Sequence, residues 1–137
     1  MNSHIELKIP SQQIYLGVPD AVLMELASDL TCDKKVIDEL STSVIEACTN
    51  AMEHGNSMQE DLLVEIHFEL TTTQIQVTVL DYGSGFDYRN WHPPEDLMRE
   101  RGRGILIMRE FTDHLDFGIT EDGRFRARLT KRLNSDS

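Results

Sequence analysis

Residues 43–56 read S-V-I-E-A-C-T-N-A-M-E-H-G-N. Val44, Ala47, Cys48 and Ala51 recur at helical spacing, which predicts the C-terminal half of an amphipathic helix. Gly55 stands where a left-handed C-terminal cap is expected. Glu46 and Asn50 are four residues apart. At roughly 100° per residue they fall about 40° from each other, on one face. That face borders the apolar stripe, so a carboxylate and a carboxamide stand where a polar ligand can meet them. Taken alone, the segment reads more simply as a helix rim with a solvated Glu and Asn.

Upstream, Asp33 is a candidate N-cap for a helix from about 34 to 54, with Ile37, Leu40, Val44, Ala47, Cys48 and Ala51 inward. An earlier helix is expected from Pro19, which suits a first turn, with Val22, Leu23, Leu26, Ala27 and Leu30 at helical spacing. Residues 11–18 are ambiguous, because Ser11 offers a cap while Gly17 and Pro19 weaken a helix through them. Ile5, Leu7 and Ile9 alternate with Glu6 and Lys8, a strand closed by Pro10.

Downstream the period changes from 3.6 to 2. Leu62, Val64, Ile66, Phe68 and Leu70 form one alternating run; Ile75, Val77 and Val79 form the next, across the turn at 71–73. This predicts an antiparallel hairpin with one wet face, and hence helices on one side only. The second strand ends at Asp81, before Y-G-S-G-F-D. Residues 88–101, with Trp91, Pro93, Pro94 and Met98, read as a lid. Gly102-Arg103-Gly104 is expected to open a helix from Ile105. Leu115, Phe117 and Ile119 mark one strand and Phe125, Ala127 and Leu129 the last, with 133–137 a frayed tail. The expected fold is a single α/β (α+β) domain over 1–137. It is a two-layer sandwich whose mixed, mainly antiparallel sheet carries helices on one face.

A net charge of −11 argues against general nucleic-acid binding and against an anionic membrane surface. Cys32 and Cys48 lack ligand spacing and read as reduced thiols, Cys48 in the core. The N-terminus lacks the features of a signal peptide and no apolar run reaches membrane length, which points to a soluble, cytoplasmic protein. The five histidines show no metal-site spacing, and His54 reads as a packing residue at the helix end. Arg124, Arg126, Arg128, Lys131 and Arg132 read as an outward basic row on the last strand, a solvated sheet face before a docking stripe.

Three pieces then stand in order: a Glu/Asn helix, an Asp-x-Gly-x-Gly strand end and a Gly-x-Gly helix start. Each alone is a common turn or helix rim, but together they suit one nucleotide. A carboxylate at a strand end accepts the exocyclic N–H of adenine, and glycines beside it let backbone approach the base. A glycine-rich loop at a helix N-terminus offers N–H donors to phosphates. Asn50 offers an uncharged oxygen to Mg²⁺, which takes its other ligands largely from water and phosphate.

On these residues the chain resembles the GHKL ATPase superfamily. Glu46 to Ala51 with His54-Gly55 resembles its N-box, Asp81 to Asp87 its first glycine box, and Arg101 to Met108 with Thr112-Asp113 its second. Within the superfamily it is most similar to bacterial anti-sigma factor serine/threonine kinases, over about residues 5–132. The resemblance implies ATP with Mg²⁺: Asn50 on the metal, Asp81 reading adenine, and Gly83 and Gly85 lining the base pocket. Gly102 and Gly104, with Arg101, Arg103 and Ile105 beside them, would form the phosphate site. Glu46 would be the general base for an attacking serine hydroxyl. It also implies a homodimer that phosphorylates an anti-sigma factor antagonist of the STAS type and sequesters a sigma factor. Two features depart from the family. Gly123 is followed by Arg124 where Thr is usual, and Pro19 interrupts the usual first helix. The competing readings are a non-catalytic ATP/ADP-binding switch, a histidine-kinase core (disfavoured for want of a phosphoacceptor hairpin) and a domain without ligand.

Overall fold

The computed structural model describes residues 2–90 and 100–133, with side chains from 103 onward in the second segment. Its elements run β1 (Ser3–Pro10), α1 (Gly17–Ala27), α2 (Lys34–Asn50), β2 (Leu63–Leu70), β3 (Gln74–Asp81), α3 (Glu100–Phe111), β4 (His114–Ile119) and β5 (Phe125–Arg132). Short 3₁₀ turns occupy Gln13–Tyr15 and Tyr88–Asn90, and a π turn extends α2 through Ala51–Gly55. The strands form one sheet in the order β1-β2-β3-β5-β4. Every pairing is antiparallel among the described residues.

Alternation decides which face of the sheet is covered. Val64, Ile66 and Phe68 of β2, Ile75, Val77 and Val79 of β3, and Phe125, Ala127 and Leu129 of β5 are all buried. Against them pack Leu23 of α1, the stripe of α2 and Ile105 and Met108 of α3, forming one apolar layer. Ile37, Leu40, Val44, Ala47, Cys48 and Ala51, expected to face inward, are all buried. The Asp33 side chain caps α2 by accepting a hydrogen bond from the Lys35 N–H (3.1 Å). The other face carries polar side chains, as the hairpin pattern predicts.

Several local expectations change. α1 begins at Gly17, two residues before Pro19; proline is tolerated there because first-turn N–H groups have no helical acceptor. Gly55 is not a left-handed cap. The left-handed residues that turn the chain are Ser57 (φ 51°) and Met58 (φ 57°). The Asn56 N–H reaches back five residues to the Ala51 carbonyl (2.8 Å). That extra residue per turn rotates His54 off the inward face, and it is exposed, with Met52 buried instead. Lys131 leaves the expected outward row. It shares its parity with Phe125, Ala127 and Leu129, is buried, and its Nζ donates to the Phe111 carbonyl (2.6 Å) and Glu39 Oε1 (3.3 Å). Leu133, expected in the frayed tail, is buried and donates its N–H to the Thr73 carbonyl (2.9 Å). Residues 134–137, and the lid residues Trp91, Pro93, Pro94 and Met98, lie outside the described residues.

Candidate functional site

The inward stripe of α2 fixes its rotation, and that rotation leaves Glu46 and Asn50 half-buried on the flank facing α3. The helix opposite approaches closely there. A Cβ built on Gly104 would stand 2.8 Å from Glu46 Oε2 and 3.5 Å from Asn50 Nδ2. Gly104 therefore serves interhelical contact, with its Cα in the space beside the two polar groups.

β3 delivers the third group. Asp81 ends the strand opposite Phe125 of β5 and is only 5% exposed. Its Oδ1 accepts the Gly83 N–H (2.7 Å), which bends the chain sharply after the strand. A Cβ on Gly55 would fall 2.2 Å from Asp81 Cγ, and one on Gly83 would fall 2.6 Å from the Gly55 backbone. Gly85 has φ +77°, where L side chains are strained, and packs on the Phe125 ring. Gly55 of the N-box thus admits the carboxylate, and Gly83 of the first glycine box admits the crossing Gly55 backbone.

Asn50, Asp81, Ala47 and Ala51 line one narrow cleft with Phe86, Phe117 and Phe125. Phe117 and Phe125 stack at 5.8 Å, and Phe86 meets Phe117 edge-on at 5.1 Å. Flat aromatic and small aliphatic walls with one carboxylate at an edge suit a planar heterocycle that presents an N–H. The cleft is nearly closed, with about 20 Å³ of free space, and it meets the Glu46/Gly104 contact at Asn50, which belongs to both.

The second glycine box sits differently from expectation. α3 starts at Glu100, so Gly102 and Gly104 lie inside the helix. Arg103 is exposed at that end, and Ile105 points into the core at 2% exposure. The side chain of Arg101 lies outside the described residues. Arg124 takes no part, because it lies on the far face of the sheet, bound to Glu65 (3.1 Å) and Asp122 (2.9 Å).

One residue of consequence carries no signal in the sequence. Asn56 is 1% exposed; its Oδ1 accepts the Tyr82 N–H (2.8 Å) and its Nδ2 faces Ser11 Oγ (3.0 Å) and the Leu62 and Leu63 carbonyls (3.2 Å each). It ties the end of β1 and the start of β2 to the backbone beside Asp81. An Asn after Gly reads as a turn residue, and nothing in its local sequence marks it as buried.

Residues 9–131 match the family model described as "Histidine kinase-like ATPase domain". The serine-protein kinase RsbW of Bacillus subtilis (strain 168) is 28% identical over 142 residues, covering 97% of this chain and 88% of that protein. The RsbW of Oceanobacillus iheyensis is 29% identical over 119 residues, covering 80% and 75%. Among solved structures, the RsbU and RsbW domains of Rv1364c from Mycobacterium tuberculosis match with a TM-score of 0.69 at 16% identity, over 98% of this chain and 34% of that one. The histidine kinase domain from Erythrobacter litoralis EL346 matches with a TM-score of 0.56 at 20% identity, over 91% and 62%. Both structural likenesses are of fold. The match over 9–131 agrees with the helix-on-sheet layering and the three converging segments, and the chain belongs to the histidine kinase-like ATPase family.

Proposed function

We propose that this protein is an ATP-dependent protein serine/threonine kinase that works as an anti-sigma factor. It phosphorylates an anti-sigma factor antagonist and sequesters a sigma factor, acting as a cytoplasmic homodimer. The observation that carries the reading is the approach of Gly104 to both Glu46 and Asn50 at the end of the cleft that holds Asp81. The names of the RsbW relatives support the kinase assignment. Among the described residues no helix is long and apolar enough to cross a membrane.

In this reading Asp81 accepts the exocyclic N–H of adenine, and the Gly83 and Gly85 backbone lies along the base. The N–H groups at the start of α3, with Arg101, Gly102, Arg103 and Gly104, hold the phosphates. Asn50 would hold Mg²⁺ through its side-chain oxygen, and the ion would supply charge neutralisation at the phosphates. Glu46 accepts the proton of the substrate serine hydroxyl as its oxygen bonds to the γ-phosphorus. The bond to the β–γ bridging oxygen breaks, and ADP leaves. Phosphoryl transfer is chiefly a matter of positioning and charge stabilisation, and a carboxylate one helical turn from the metal ligand orients the nucleophile.

The test is transfer of labelled phosphate from Mg·ATP to a candidate antagonist by the wild type and by Glu46→Gln. Loss of transfer in the variant with ATP binding retained is expected; full activity would remove the base from Glu46. The second reading is a module that binds ATP or ADP and controls a partner without transfer. Nucleotide binding without transfer by the wild type would select it.

A further inference from the structure

The outer face of the β1–β2 pair carries a checkerboard of side chains that the proposed nucleotide chemistry does not use. Glu6 lies directly across from His67, and His4 directly across from Glu69. His4 and Glu6 share a face because they are two apart on one strand. The two imidazoles meet edge-on, with centroids 5.4 Å apart.

Ring nitrogens from both histidines converge on one carboxylate oxygen. His4 Nε2 stands 3.2 Å from Glu6 Oε1, and His67 Nδ1 stands 3.6 Å from the same atom. One ligand atom from each of the three residues lies within 4.8 Å of the others. Two ligands about 2.0–2.1 Å from a tetrahedral ion stand about 3.4 Å apart, so both measured separations bracket the spacing an ion requires.

The remaining ring nitrogens supply a second, independent observation. His4 Nδ1 faces Glu69 Oε1 at 3.5 Å, and His67 Nε2 faces Glu65 Oε2 at 2.5 Å. A metal-bound histidine characteristically gives its other N–H to a carboxylate, which fixes the tautomer and raises ligand basicity. His67 is hydrogen-bonded to Glu65 in that way, and His4 Nδ1 stands at ion-pair distance from Glu69. Glu65 is itself held by Arg124 (3.1 Å) and Lys8 (3.6 Å). Among the described residues the ion-pair partners of Glu6 are only these two histidines.

We propose that His4, Glu6 and His67 bind a divalent transition-metal ion of the Zn²⁺ class, with Glu69 and Glu65 orienting the imidazoles. Two imidazoles and one carboxylate with an open fourth position match that ion's preferences. β1 is an edge strand, and the ion ties it to β2 on the face opposite the helices.

The test is calorimetric titration of the full chain with Zn²⁺ alone, without nucleotide. Saturation at one ion per chain is expected. Affinity should fall at least tenfold in His4→Ala and in His67→Ala, about tenfold in Glu69→Gln, and not at all in His114→Ala. Imidazole ¹⁵N resonances provide a readout that needs no variant: those of His4 and His67 shift with Zn²⁺, whereas those of His54 and His114 stay. Absence of saturable binding, or binding unchanged when both histidines are replaced, overturns the site.

Discussion

Gly55 and Asp81 touch so closely that any side chain on the glycine would occupy the carboxylate's position. A Cβ there would stand 2.2 Å from Asp81 Cγ, and 2.4 and 2.5 Å from its two oxygens. Asp81 cannot easily yield, because the Gly83 N–H holds its Oδ1 at 2.7 Å. Gly55→Ala is therefore expected to destabilise the fold by about 1–3 kcal/mol through overpacking. Nucleotide affinity should fall with it, because the carboxylate is displaced. Urea denaturation and nucleotide titration of the same variant measure the two effects.

Asp81→Asn keeps the shape and an oxygen for Gly83 but removes the charged acceptor at the cleft. ATP affinity is expected to fall by roughly 1.5–3 kcal/mol, with GTP affinity moving less. Calorimetry with both nucleotides checks this, and unchanged ATP affinity would count against adenine recognition by Asp81.

Gly104→Ala separates stability from chemistry. Alanine favours the interior of α3 by about 1 kcal/mol, while its methyl would meet the Glu46 carboxylate at 2.8 Å. The end of a glutamate side chain can swing away. The expected outcome is an unchanged or raised melting temperature with phosphate transfer reduced at least tenfold. A variant that keeps full transfer would show that the position of Glu46 is not critical.

Asn56→Ala leaves the half-buried Tyr82 N–H without its acceptor and frees the Leu62 and Leu63 carbonyls. Such a loss is expected to cost about 1–3 kcal/mol. Hydrogen exchange should quicken at Tyr82 and Gly83 before it does in the centre of the sheet, which a simple loss of global stability would not produce.

The two cysteines should differ in reactivity. Burial pushes the Cys48 thiol up to about 12, whereas burial followed by the neighbouring Asp33 raises Cys32 only moderately. Thiolate is the reactive form, so a disulfide reagent should modify Cys32 first and Cys48 only as the protein opens. The sign for stability follows from the raised folded-state value. Cys48's contribution is whole below the unfolded value of about 8.5 and is lost as pH rises through about 12. Denaturation of the wild type and Cys48→Ala across the alkaline range should show the steeper fall in the wild type.

Much of this protein was legible in the order of its residues, because backbone periodicity is local. Repeats of 3.6 and 2 predicted α2 with its inward stripe and the β2–β3 hairpin with its wet face, and Asp33 declared the start of α2. Glu46, Asn50 and Asp81 were legible as a set for the same reason: i,i+4 spacing and a strand end are properties of short segments. What local order could not reveal was which surfaces meet. Gly55 looked like a cap and is instead the space for a carboxylate from a strand 26 residues later. Lys131 looked exposed until β5 packed it beneath the helices. His4 and His67 showed no common spacing, and only the antiparallel register of β1 on β2 makes them neighbours. Register and interhelical approach arise from burying one shared apolar layer, so tertiary packing decided where the polar groups of distant segments converge.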